Sequence, residues 1–126
     1  MSMINPLARA KGHGSAKEGV HHWYAQRASA LLLIVLTAWL FYAIASLAGA
    51  GYEEVRTFMG SPVNVSFLAV LLLSMLYHAV LGLQVVIEDY IHSAPMEIFL
   101  HFITRAAALL AAAFGLVQLI RLALGN

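Results

Sequence analysis

Hydrophobic residues along this chain fall into three long stretches that contain no Asp, Glu, Lys or Arg. The stretches cover residues 28–52, 57–87 and 106–120, and the last has an apolar approach from Ile98. A helix needs about 20 mostly apolar residues to cross a hydrocarbon core of about 30 Å. The pattern therefore predicts an all-α integral membrane protein with three transmembrane helices, at residues 27–50, 65–89 and 97–123.

The composition agrees with a bilayer environment. Of the 126 residues, 62% are hydrophobic and only 10% are charged, which is far from the average of soluble globular proteins. Little sequence is left outside the predicted helices. We therefore expect a single membrane-anchor domain over residues 1–126, with residues 1–26 as an inner N-terminal tail and no soluble catalytic domain.

Cysteine content and net charge exclude several classes of function. The chain has no cysteine, so thiolate metal sites, disulfides and a cysteine nucleophile are excluded. Its net charge of +1 is too small to indicate nucleic-acid binding. We expect a lipid bilayer and no nucleic acid among its partners.

The basic residues predict the orientation in the membrane. The residues ahead of the first helix are Arg9, Lys11, Lys17 and Arg27, whereas the loop after it has only Arg56 beside two glutamates. Short flanking segments rich in Lys and Arg stay on the inner side. The N terminus is therefore predicted inside and the C terminus outside, although Arg121 at the outer end opposes this mildly.

Capping residues and small residues suggest how the helices begin and pack. Asn64 or Ser66 could cap the second helix, and Ser93 or Pro95 lies near the start of the third. The third helix is rich in alanine and carries Gly115. Small residues let helices approach closely in lipid, so this helix is expected to pack tightly against a neighbour.

His78 is the most informative residue, because it lies within the uncharged stretch of residues 57–87. An ionisable side chain in hydrocarbon is costly unless it meets a partner, a cavity or a cofactor. Three interpretations follow: an axial haem ligand, a proton-relay group, or a hydrogen-bonded packing histidine. Gly82 lies one turn further along the same face, and its missing side chain would leave room for a flat macrocycle.

His101 is the other histidine within a predicted helix, but its depth differs. At 1.5 Å per residue, His78 lies about 14 Å from the inner boundary and His101 about 6 Å. A haem with two axial histidines would therefore take its second ligand from a partner subunit.

The inner end of the second helix carries Glu88, Asp89 and Tyr90. Carboxylates are mildly unfavourable at a helix C-terminus, so helix stability does not explain them. A phenol and a carboxylate at the membrane surface could form a polar site that manages protons. An interfacial tyrosine beside two solvated acids is the plainer alternative.

Charged residues also lie at the inner ends of the first and third helices. Arg27 could pair with haem propionates or extend to the interface as a flanking residue. Glu97, His101 and Arg105 share a face at four-residue spacing and are read as an ion-pair ladder.

Two segments resemble a known family. The segment 78–92, HAVLGLQVVIEDYIH, resembles the second helix of the hydrophobic membrane anchor subunit of succinate dehydrogenase, respiratory Complex II. The segment 22–30, HWYAQRASA, is similar to the entry into that family's first helix. Together they cover about a fifth of the chain, and the three-helix layout extends the match to nearly all of it.

The resemblance implies specific roles. His78 would be an axial ligand of haem b, with the other axial histidine on a cytochrome b556-type partner anchor subunit. Arg27 would lie near the haem propionates, and Tyr90 would donate a hydrogen bond to ubiquinone with Asp89 close by. Electrons would come from succinate through a flavoprotein subunit and an iron–sulfur subunit. The chain would then belong to a bacterial or mitochondrial inner membrane. The inner loop with His92, Glu97 and His101 departs from the family pattern, so no loop contact is carried over.

Two other classes of function fit the pattern from the residues alone. A structural subunit would keep the three helices without haem or quinone. A proton-translocating subunit of another respiratory complex would use His78 and Asp89 as relay groups. An absorption spectrum and a proton-movement assay separate these classes.

Overall fold

The computed structural model describes residues 18–125, and all regular structure in that range is helical. The elements are α1 (Glu18–Ser46), α2 (Tyr52–Gly60), α3 (Pro62–Tyr90) and α4 (Ala94–Leu124). Helices α1, α3 and α4 are each long and apolar enough to cross a membrane. The predicted all-α fold with three candidate transmembrane helices is confirmed for this part of the chain. The basic residues Arg9, Lys11 and Lys17 lie outside it.

Helix α1 begins at Glu18, so the predicted start at residue 27 is wrong. The prediction placed the boundary at Arg27, where the uncharged stretch begins. A helix, however, is held by backbone hydrogen bonds and can continue beyond its apolar part into the interface. Helix α1 also ends at Ser46, before the predicted residue 50. Gly49 follows in the left-handed region, with φ of 85°, which glycine adopts without a steric penalty.

The outer loop contains a helix that the sequence pattern did not predict. Helix α2 carries Glu53 and Glu54 in its first turn, where acidic side chains are favoured by the helix dipole. It packs against α3 and the end of α4. The Arg56 side chain donates a hydrogen bond to the carbonyl oxygen of Gly125. Helix α2 and the C-terminal end of α4 therefore lie on the same side of the bundle.

The cap of α3 differs from the prediction. Its N-cap is Ser61, whose hydroxyl accepts a hydrogen bond from the Asn64 backbone N–H at 3.4 Å. Pro62 occupies the first turn, where the missing N–H costs nothing. The side-chain amide of Asn64 donates to the Phe58 carbonyl at 2.6 Å, and the Ser66 hydroxyl donates to the Pro62 carbonyl at 2.8 Å. The predicted caps Asn64 and Ser66 were wrong because the helix begins one turn earlier.

Helix α4 begins close to the predicted residues, with Ser93 at its N-cap and Pro95 in its first turn. It ends at Leu124, and Gly125 follows as a left-handed C-cap with φ of 76°. The Gly125 backbone N–H donates to the carbonyl oxygens of Arg121 and Leu122. The expected break between the second and third transmembrane helices is confirmed.

Helix α3 is the central helix of the bundle. It packs against α1 on one side and α4 on the other, whereas α1 and α4 do not pair directly in residues 18–125. An apolar groove of about 510 Å³ lies between them over the surface of α3. Within the part of the chain whose side chains are described, few apolar residues are buried: Leu36, Ala43, Leu81 and Ile87. Most of the apolar helix surface is therefore available to lipid or to partner subunits.

Gly115 lets α4 pack closely against α3, as the small residues of this helix predicted. A Cβ at this position would overlap the Leu72 Cδ2 atom. We expect Gly115→Ala to push the flexible end of the Leu72 side chain aside, at a net cost of about 1 kcal/mol, because alanine is also the better helix former. Thermal inactivation of the purified protein measures the effect. Gly51→Ala is the control, because a Cβ there meets nothing within 4 Å. Equal midpoints for both variants would contradict tight packing at Gly115.

The orientation of the bundle stays a prediction, with the N terminus inside. A reporter that is active only outside the inner membrane, fused after Asn126, should be active. The physical reason is the retention of Arg9, Lys11, Lys17 and Arg27 on the inner side. The matched control is the same reporter fused ahead of Met1, which should be inactive. Activity of the N-terminal fusion alone would overturn the assignment.

Candidate functional site

The His78 ring lies between α3 and α1, and residues of α1 contact both of its nitrogens. The Nδ1 atom is 2.9 Å from the Ser29 Oγ atom. The Nε2 atom is 3.2 Å from the side-chain amide nitrogen of Gln26. The histidine is half-buried, and Ser29 is only 7% exposed. His78 is thus held by a polar contact across the α1–α3 interface.

The hydrogen bonds of Ser29 indicate which ring nitrogen carries the proton. Its hydroxyl donates to the Gln26 backbone carbonyl at 3.0 Å. A hydroxyl has one proton, so with that bond in place its oxygen accepts from His78 Nδ1–H. The Nε2 atom is then unprotonated and accepts from the Gln26 amide N–H, in the amide orientation that leaves Gln26 Oε1 without a partner.

Two further polar atoms of α1 lie beside this contact. The His22 Nε2 and Gln26 Oε1 atoms are buried and have no hydrogen-bond partner among the described residues. His22, Gln26 and Ser29 follow one another at spacings of four and three residues, so they lie on one face of α1. A polar face on a transmembrane helix is costly unless it has partners. Ser29 and Gln26 on this face find their partner in His78 of α3.

No role was predicted for His22, Gln26 or Ser29 from the sequence. The spacing of these three polar residues places them on one face of a mostly apolar helix. The pattern was not recognised because the helix was predicted to start at residue 27, which placed His22 and Gln26 in the N-terminal tail. Only the packing of α1 against α3 pairs them with His78.

Gly82 lies on the face of α3 that meets α1, as the four-residue spacing from His78 predicted. A Cβ at Gly82 would be 3.7 Å from the Gln26 amide nitrogen. The Gln26 side chain therefore contacts the position that a side chain at Gly82 would occupy. A flat group beside His78 would require the flexible Gln26 side chain to rotate away.

These residues fit an axial haem ligand. Such a histidine needs one ring nitrogen with an available lone pair and a partner on the other nitrogen that orients the ring. Ser29 supplies the orienting partner, and the Nε2 lone pair is occupied only by an exchangeable amide. A haem iron takes a single axial histidine from each side. Residues 20–125, whose side chains the structure describes, hold no cluster of three His, Cys, Asp or Glu, and none is needed.

Arg27 lies on α1 next to Gln26 and close in height to His78. Its side chain is exposed, and the guanidinium stacks over the Trp23 ring at 5.0 Å from the centroid. It makes no salt bridge within the described residues. Because the helix begins at Glu18, Arg27 is two turns inside α1 and does not open the helix as predicted. Its cationic group therefore lies over Trp23, on a surface open to a partner.

Asp89 and Tyr90 end α3, and both side chains are exposed. Tyr90 is 75% exposed, and its hydroxyl has no partner in residues 18–125. The neighbouring Glu88 accepts a hydrogen bond from Gln84 at 3.0 Å. At 1.5 Å per residue, Tyr90 lies about 18 Å along the helix from His78. The structure thus separates the candidate residues into a site within the bundle and a site at its end.

The ion-pair ladder predicted on α4 is shorter than expected. His101 Nε2 lies 3.9 Å from the Glu97 carboxylate, and this is the only such contact between a basic and an acidic side chain in residues 20–125. Arg105 therefore does not extend the ladder. His101 makes no hydrogen bond to His78, and the predicted difference in depth between them stays a prediction.

The fold and these sites define an integral membrane protein with three candidate transmembrane helices and a buried polar contact at a histidine. Residues 1–119 match the model of the succinate dehydrogenase/fumarate reductase transmembrane subunit family. The chain belongs to this family.

Individual relatives carry the same description as the resemblance seen in the sequence. The succinate dehydrogenase hydrophobic membrane anchor subunit of Rickettsia bellii is 40% identical over 85 residues, covering 68% of each chain. That of Paracoccus denitrificans is 32% identical over 90 residues, covering 71% of this chain and 70% of the relative. The succinate dehydrogenase membrane anchor subunit of Reclinomonas americana is 29% identical over 96 residues, covering 74% and 80%. The predicted family is confirmed.

Proposed function

We propose that this chain is the hydrophobic membrane anchor subunit of a succinate:ubiquinone oxidoreductase. In this role it co-ligates haem b and forms part of the ubiquinone site. The observation that carries the proposal is the His78 ring, which Ser29 holds at Nδ1 and which offers Nε2 beside Gly82. The family match and the anchor-subunit relatives support the same assignment.

Within the bundle, His78 is the residue that would hold haem b, through its Nε2 atom. Haem b, when bound, supplies a one-electron redox centre within the membrane. Arg27 is proposed to hold the haem propionates, because its exposed guanidinium lies on the adjacent face and pairs well with carboxylates. A second histidine ligand would come from a cytochrome b556-type partner subunit, as the resemblance to the anchor-subunit family implies.

At the end of α3, Tyr90 and Asp89 are the proposed contacts to ubiquinone. The Tyr90 hydroxyl is exposed and free to donate to a quinone oxygen. Asp89 is exposed beside it and can hold a proton near the quinone as it is reduced. The iron–sulfur and flavoprotein subunits, which deliver the electrons of succinate, would dock on this inner side. The complex belongs to the bacterial or mitochondrial inner membrane.

Purification through a tag on this chain tests the proposal. We expect an iron–sulfur subunit, a flavoprotein subunit and a second anchor subunit to copurify, with the absorption spectrum of a low-spin b-type haem. Peptide mass spectrometry identifies the subunits. A complex with no succinate-oxidising subunits would reject the assignment to succinate dehydrogenase.

A structural anchor without haem is the second candidate function. The observation that favours it is that both ring nitrogens of His78 find partners within this chain. Such a histidine would only join α1 to α3. The same purification separates the two candidates, because a structural anchor would bring the partner subunits without a haem spectrum.

The Asp89→Asn variant tests the proton-handling role at the quinone site. The amide keeps the size and hydrogen bonding of the side chain but cannot exchange a proton. We expect quinone reduction to slow, by up to about a hundredfold, and its pH profile to change. Glu88→Gln is the matched control, because Glu88 is also exposed but is bonded to Gln84. Indistinguishable pH profiles for wild type and Asp89→Asn would exclude the role.

A further inference from the structure

Ser29 is the buried polar residue of the α1–α3 interface, with 7% of its surface exposed. Its hydroxyl has two partners: it donates to the Gln26 carbonyl at 3.0 Å and accepts from His78 Nδ1 at 2.9 Å. A serine that only satisfied its own helix would need the first bond alone. The second bond crosses to α3 and joins Ser29 to the proposed haem ligand.

We propose that Ser29 is a positioning residue that holds His78 in the tautomer and orientation that present Nε2 to the haem iron. This inference rests on the proposed role of His78 as a haem ligand. The one proton of the Ser29 hydroxyl is directed to the Gln26 carbonyl, so the oxygen can only accept from the ring. It therefore selects the ring form with the proton on Nδ1 and the lone pair on Nε2.

Gln26 supports the same selection from the other side of the ring. Its amide N–H donates to Nε2 at 3.2 Å, which also requires an unprotonated Nε2. A nitrogen lone pair serves one strong partner, so Gln26 and a metal ion exclude one another at this atom. In the chain without haem, Gln26 therefore bonds to the Nε2 lone pair. Ser29 keeps its bond to Nδ1 with or without haem.

The bond from Nδ1–H to Ser29 also affects the electronic properties of the ligand. A hydrogen-bond acceptor on the second ring nitrogen raises the basicity of the first and fixes the ring plane. A more basic axial ligand stabilises ferric over ferrous iron. Loss of the Ser29 hydroxyl should therefore raise the haem midpoint potential and loosen the haem.

Three variants in the assembled, purified complex test the inference. Ser29→Ala removes the hydroxyl, and Ser29→Thr keeps it. Ser46→Ala is the matched control, because Ser46 also donates to the carbonyl three residues earlier, at 2.9 Å, but is exposed and distant from His78. The measurements are the redox titration of the haem, its low-spin electron paramagnetic resonance signal and the rate of haem loss in detergent.

We expect Ser29→Ala to raise the midpoint potential, to shift the low-spin signal and to speed haem loss about tenfold to a hundredfold, as loss of an orienting partner does at metal sites. Ser29→Thr and Ser46→Ala should remain close to wild type. If Ser29→Ala fails to assemble, Ser29→Cys provides the same test, because a thiol is a weak acceptor of similar size.

Two results would overturn the inference. One is a potential, signal and haem-loss rate of Ser29→Ala that equal those of Ser46→Ala. The other is an equal shift in Ser29→Ala and Ser29→Thr, which would indicate packing without a role for the hydroxyl. Either result would leave the proposed function standing if His78→Ala alters the haem. An unaltered haem in His78→Ala would instead reject the proposed ligand itself.

Discussion

Replacing His78 with alanine should abolish or strongly alter the low-spin haem spectrum of the purified complex. The variant removes the proposed axial ligand, while alanine preserves the helix because it is a strong helix former. It also leaves the buried Ser29 and Gln26 without their partner, at a cost of about 1–3 kcal/mol. The haem content per complex and the reduced-minus-oxidised spectrum measure the effect. Assembly should weaken as well, because a bound cofactor stabilises the folded state.

His101→Ala is the matched control for this variant. His101 lies on α4, is paired with Glu97 at 3.9 Å, and has no contact with His78. Its replacement should leave the haem spectrum unchanged. A complex that keeps the wild-type spectrum after His78→Ala would exclude ligation by His78 and would favour the packing role. A changed spectrum in His101→Ala alone would indicate that the haem ligand is His101 on α4.

Tyr90→Phe should reduce quinone-linked activity by about tenfold to a hundredfold. The ring and its packing remain, but the hydroxyl that would donate to a quinone oxygen is lost. A hydrogen bond of this kind is worth about 1–3 kcal/mol, and each 1.4 kcal/mol is about a factor of ten. Succinate oxidation by a soluble dye should continue, because the proposed flavin and iron–sulfur centres lie in other subunits. The ratio of quinone-linked to dye-linked activity is the measurement.

Tyr52→Phe controls for the loss of an exposed tyrosine hydroxyl. Tyr52 is 74% exposed, against 75% for Tyr90, but it begins α2 at the opposite end of the bundle. Its replacement should leave the activity ratio at the wild-type value. An equal ratio in wild type and Tyr90→Phe would mean that Tyr90 is only an interfacial residue.

The end of α3 shows how far local chemistry can be read without a structure. The run of Glu88, Asp89 and Tyr90 ends an apolar stretch, so its place at a helix terminus was predictable, and α3 does end at Tyr90. Exposure of these side chains follows from the same position. Their proposed quinone role came from the family resemblance, because pattern alone fits an interfacial tyrosine equally well.

Helix α2 and the start of α1 were missed for related reasons. Both contain polar and charged residues, and the prediction relied on hydrophobicity to mark helices. Helix α2 is short and is stabilised by acidic residues in its first turn and by packing on α3 and α4. The first turns of α1 continue the backbone hydrogen bonds of an apolar helix. Neither feature depends on a long apolar stretch.

The sequence by itself determined the class of this protein and the position of its central histidine. Long uncharged stretches allow only helices in a bilayer, because every backbone group there must be bonded within the segment. The isolation of His78 among apolar residues marked it as a candidate site for the same energetic reason.

Only the tertiary structure decided which residues surround that histidine. Ser29 and Gln26 are 49 and 52 residues from His78 in the chain, and they reach it because α1 packs against α3. Helical periodicity gives the face of each helix, but the depth at which two faces meet depends on where the helices begin and how their side chains interlock. The partners of His78, and hence its tautomer, are therefore properties of helix packing.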